Sequence, residues 1–168
     1  MTDTSTPLSI QQYVEKHFLW NFSVNAMDIS FVTLAMNMVS QATILPLLVN
    51  ELTDSKIAVG FIPAVLSIGF LLPQLFTAGH AESLRRKKPF IVLWSIIGER
   101  TPYLVAAIAI LLFARSAPLL TLGLIYLSLL VASGTAGALN PAWYDMIAKV
   151  IPANRRGLWM GVGSGGGA

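Results

Sequence analysis

The chain has 168 residues, of which 55% are hydrophobic and only 11% charged, with a net charge of +3 and a mean hydropathy of +0.68. A soluble domain carries about 25% charged side chains to solvate its surface, so the composition excludes an ordinary water-soluble globule and points to helices that face lipid. With no cysteine at all, disulfides, thiolate metal ligands and cysteine nucleophiles are excluded together.

In chain order, residues 1–21 form a polar N-terminal segment without the basic-then-apolar pattern of a cleavable signal. Within it Ile10, Tyr13, Val14, His17 and Phe18 follow helical spacing beside Gln11, Gln12, Glu15 and Lys16, which predicts either a surface-lying amphipathic helix or a frayed tail. Four membrane spans follow, at about 22–49, 57–78, 89–114 and 119–139, and a fifth starts at 158. The four-residue connection Arg115 to Pro118 makes the third and fourth spans antiparallel neighbours. Asn140 and Pro141 mark the expected end of the fourth span, and the chain reaches Ala168 after roughly half the length of a fifth.

Basic residues set the orientation, because Lys and Arg near span ends are retained on the cytoplasmic side. The N-terminal flank and the loops after the second and fourth spans hold eight: Lys16, Arg85, Arg86, Lys87, Lys88, Lys149, Arg155 and Arg156. The opposite loops hold two, Lys56 and Arg115. The bias predicts a cytoplasmic N-terminus, and the expected location is the plasma (inner) membrane. It also explains the basic cluster without nucleic acid, since the cluster sits between two spans.

The turn after the second span reads Ala78-Gly79-His80-Ala81-Glu82-Ser83-Leu84-Arg85-Arg86-Lys87-Lys88. It resembles the signature loop of the major facilitator superfamily: a small residue, an acid four positions on, then a basic cluster. Ala78 takes the small position, Glu82 the acid, and Arg86 with Lys87 the basic pair. Arg85 stands where the family usually has glycine, and Ser83 where it often has arginine. Asp145, Pro152 and the Arg156-Gly157 pair likewise resemble the family's approach to its fifth span. The resemblance implies an all-α polytopic bundle, the larger part of the first of two six-helix halves that rock about a midplane site. It also implies a cytoplasmic gating motif of Glu82, Arg86, Lys87, Asp145, Arg156 and Gly157. On this reading the chain is a fragment, and the missing C-terminal half of the carrier is a partner.

Polar groups inside spans are costly and so are the first functional candidates. Glu99 and Arg100 fall near the middle of the third span, with Pro102 freeing the carbonyl of Gly98 and introducing a kink. They are read either as a proton or substrate relay or as an internal ion pair that anchors the helix. In the first span Asn21, Asn25 and Asp28 share one side, whereas Ser30, Thr33, Asn37, Ser40 and Gln41 spread over the other. Since the resemblance implies that the first and fourth helices line the pathway, Asn37 and Gln41 join Glu99 and Arg100 as tentative substrate-pathway residues; interhelical hydrogen bonding is the competing reading. Asp28 is read as an anchor at the cytoplasmic end. In the fourth span Ser133 with Gly137, and Gly134 with Ala138, repeat small residues at four-residue spacing, a packing signal.

No catalytic constellation, metal-ligand spacing or phosphate loop is present in the sequence, and no cofactor is expected. The expectation is a secondary active transporter, not an enzyme, that moves a small solute by alternating access, with coupling to a proton or sodium left open. Its surroundings are the lipid bilayer and no nucleic acid. The alternative is a four-span scaffold or assembly protein that transports nothing.

Overall fold

The computed structural model describes residues 10–40, 42–83 and 86–166, and every regular element among them is helical. Two compact units divide the chain: Met1–Met38 with Met146–Ala168, and Val39–Asp145.

The first unit contains α1 (Ile10–Lys16), α2 (Phe18–Met38), a 3-10 turn at Ala153–Arg155 and α8 (Arg156–Gly166). The predicted surface segment is thus a seven-residue helix that runs almost directly into α2. Helix α2 packs along α8, where Gly163 is buried and a side chain on it would reach within 3.0 Å of Ile29 Cβ. The close approach lets the Ser30 hydroxyl lie 2.9 Å from the Ala26 carbonyl of its own helix and 2.8 Å from the Gly163 carbonyl across the seam. The single hydroxyl proton is shared between one carbonyl of its own helix and one across the seam.

The second unit contains α3 (Ile44–Leu52), α4 (Lys56–Ser83), α5 (Lys87–Trp94), a π turn at Ser95–Arg100, α6 (Thr101–Phe113) and the main part of α7 (Pro118–Val150). Among the described residues three helical stretches are long and apolar enough to cross a membrane: Lys56–Gly79, Lys87–Phe113 and Pro118–Val150. They are consistent with an integral membrane protein. Helices α4 and α7 run parallel, because contacts advance together along both. The Tyr126 hydroxyl donates to the Ala58 carbonyl, and Thr77 Oγ1 lies 3.0 Å from the Ala138 carbonyl. Between these points Gly69 meets Ser133, and Gly137 meets the backbone of Phe70. The α5–α6 stretch runs antiparallel to α7, with Lys87 against Asp145 at one end and Gly98 against Thr135 further in. At the other end Leu45, Val49 and Leu52 of α3 join Ile62, Val65, Ile125 and Leu129 in the unit's hydrophobic core.

At three places the helices show detail beyond the span boundaries. The continuous first span at 22–49 is two helices, α2 and α3, with an irregular connection after Met38 in which the Ser40 carbonyl accepts from the Leu45 N–H at 3.1 Å. Neither glycine nor an interior proline lies at the break. Instead Pro46 occupies the first turn of α3, where the missing N–H costs no helical bond. The helix of the fourth span continues beyond Leu139, through Pro141 to Val150; an apolar helix tolerates the lost bond when its neighbours support it. In the third span, just before Pro102, the helix widens into a π turn.

Candidate functional site

Two groupings of polar residues stand out in the second unit. The first lies at the end shared by α5 and α7. Lys87 opens α5 and its ammonium pairs with the Asp145 carboxylate of α7; the lysine side chain is only 9% exposed, so the pair is largely withdrawn from water on the lysine side. Adjacent Arg86, at the N-cap position of α5, is exposed. Of the two basic residues singled out by the sequence, the structure therefore brings Lys87 and not Arg86 to the acid. Glu82 belongs to the last turn of α4, but its side chain lies outside the described residues.

In the first unit Arg156 caps a helix end. Its Nε donates to the Ile151 carbonyl at 3.1 Å and its NH2 to the Ala148 carbonyl at 2.7 Å. A guanidinium placed there satisfies carbonyls that the terminating helix leaves open and opposes the negative end of its dipole. Gly157 follows in the first turn of α8, where a side chain would meet open space, so no steric requirement for glycine exists at that position among the described residues. The same unit has a cleft of about 280 Å³ lined by Glu15, Phe18, Pro152, Asn154 and Arg155.

The second grouping is the π turn. Its wider winding aligns residues five apart, which in an α-helix would sit about 140° round from each other at 3.6 residues per turn. The Arg100 guanidinium consequently donates to the Ser95 hydroxyl oxygen. The Ile96 carbonyl accepts from the Thr101 N–H and, at 2.8 Å, from Thr101 Oγ1. One side of the turn, Gly98 and Pro102, is buried. A side chain on Gly98 would overlap Thr135 of α7, with Cγ2 only 2.7 Å away. Glu99 is half-buried, whereas Arg100 is exposed. The two consecutive charges therefore lie in different surroundings.

Asn37, expected near mid-depth, is exposed one residue before the end of α2. Gln41 lies outside the described residues. Asp28 falls at the middle of α2 and is exposed. No group of His, Cys, Asp or Glu among the described residues is arranged to hold a metal ion.

Several partners were not singled out by sequence reasoning. Ser95 stands five residues from Arg100, a spacing that only π winding makes adjacent. Gly69 and Thr135 face the small residues of α7 and the π turn respectively, yet single small residues carry no periodic signal. Comparison with protein families, characterised proteins and solved structures returns no match for this chain.

Proposed function

We propose that this chain forms part of the N-terminal bundle of a secondary transporter of the major facilitator type, which moves a small solute by alternating access. The observation that carries the reading is the Lys87–Asp145 ion pair. The loop resemblance assigns the basic cluster after the second span and the acid after the fourth to one gating face, and these two residues meet. Three membrane-length helices, with α4 parallel to α7 and the intervening α5–α6 antiparallel to it, support the same topology.

In the proposed arrangement α2 supplies the first span and α8 begins the fifth. The Lys87–Asp145 end faces the cytoplasm because it lies beside the basic loop. Its pair biases the open and closed states of that face by differential contact, which shifts a two-state equilibrium only to the extent that the pair survives in one state and breaks in the other. Asn37, Gln41 and Glu99 are the residues proposed to border the solute path.

The test is uptake by the full-length protein in proteoliposomes. Vesicles exposed to a mixed pool of small metabolites should accumulate a defined solute, read by mass spectrometry, and Lys87→Met with Asp145→Leu, which removes both charges of the pair together, should change the rate while leaving the protein folded. Vesicles that accumulate nothing above protein-free controls, with or without proton and sodium gradients, would overturn the transporter reading.

A further inference from the structure

Arg100 sits halfway along the Lys87–Phe113 stretch, thirteen residues from each end. At 1.5 Å per residue each end is about 20 Å away, and half of a hydrocarbon core is about 15 Å. An arginine side chain cannot snorkel that far. Its guanidinium has five N–H donors in a planar fork, and the bond to Ser95 uses one of them.

The surroundings of Arg100 narrow what can meet the rest. Leu93, Ile97, Arg100, Leu104, Ile108 and Leu111 recur every three or four residues, and all are exposed. Between Lys88 and Arg115 the only other charged residue is Glu99, which is half-buried. The stripe is thus apolar over about 27 Å with a single cation at its centre. Lipid does not suit the cation, since ionisable side chains at mid-depth face protein or a wet cavity. A water-filled solute path does not suit the leucines and isoleucines on both sides.

We propose that this face of α5–α6 is the docking surface for a further membrane-spanning helix that carries a carboxylate at mid-depth. A helix is the form such a partner takes, because in hydrocarbon it must satisfy its own backbone. A carboxylate is its matching group, because it accepts two parallel bonds from a guanidinium. The inference rests on the membrane embedding contained in the proposed function and not on transport.

The experiment uses the full-length protein in a background without other cysteines; this chain contributes none. Single cysteines at Ile97, Leu104 and, as control, Phe76 on α4, which is 81% exposed, carry a fluorophore in vesicles containing brominated lipid. Covered positions 97 and 104 should be quenched no more than about half as strongly as position 76. Arg100→Leu should lower folded yield several-fold, because it strands the partner's charge. Mutations that restore the yield should neutralise an Asp or Glu in the middle of another membrane helix.

Equal quenching at all three positions would assign the face to lipid and overturn the proposal. Oxidative joining of two copies of the Ile97→Cys variant through position 97 would give the face to a second copy, and protection that appears only on adding acetate or phosphate would give it to a small anion; either overturns it. So would restoring mutations that touch no acidic residue. Absence of quenching even at position 76 would remove the membrane on which the proposal stands, a failure distinct from a lack of uptake.

Discussion

Where two helices touch backbone to backbone, the presence of a single methyl group decides whether they can. A Cβ on Gly137 would lie 2.7 Å from the Phe70 carbonyl carbon, an atom that cannot move without α4. Gly137→Ala is therefore expected to destabilise the protein by about 1–3 kcal/mol, the usual cost of overpacking, read as a lower melting temperature in detergent. Gly123→Ala, where nothing lies within 4 Å, should not lower the melting temperature and should raise it slightly, since alanine favours the helix over glycine. At Gly98 the obstruction is the Thr135 side chain rather than backbone, so Gly98→Ala should be rescued in part by Thr135→Ala, which removes Oγ1 and Cγ2. Equal melting of the single and double variants would show that Thr135 does not set the spacing.

The ends of helices carry the charges that the middle cannot. Lys87 pairs with Asp145 while its side chain is nearly buried, and removal of one partner from such a pair leaves a charge without compensation, at a cost of about 3–5 kcal/mol when burial is complete. Asp145 is 39% exposed, so the lower part of that range, or less, applies. Lys87→Met should lower the melting temperature, and Lys87→Met with Asp145→Leu should recover part of it, because the first change removes the ammonium's share in balancing the carboxylate. Arg86→Met, at an exposed position, should be neutral within about 0.5 kcal/mol. The π turn in the middle of the third span is the complementary case. It provides Thr101 with two bonds to one carbonyl and accommodates Pro102 without breaking the helix. Thr101→Val keeps the N–H bond and removes the hydroxyl one, and should cost about 0.6 kcal/mol, typical of hydrogen bonds within membrane helices.

Across the whole molecule the distribution of basic residues makes the orientation testable. On the proposed topology eight lie on one side and two on the other, so a cysteine at Ser55 should react with an impermeant reagent added outside intact cells, and one at Ser83 only after the membrane is opened. Reaction at Ser83 in sealed cells would invert the topology. Helical class, the three membrane-length stretches and the small-residue seam of α7 were all legible in the sequence, because hydropathy and four-residue periodicity are properties of consecutive residues. Helix breaks were less so. Asn140-Pro141 looks like an end and is not one, while the chain around Val39 to Thr43 looks continuous and is broken; Pro46, suited to a first turn, was the available signal. Ser95 as the partner of Arg100, Lys87 rather than Arg86 as the partner of Asp145, and Gly69 and Thr135 as the surfaces facing α7 and the π turn were decided by tertiary structure alone. Composition and order in a chain determine which segments prefer hydrocarbon, but the choice between two adjacent basic residues, or between α and π winding, depends on how closely a neighbouring helix approaches, and that distance is set only when the bundle packs.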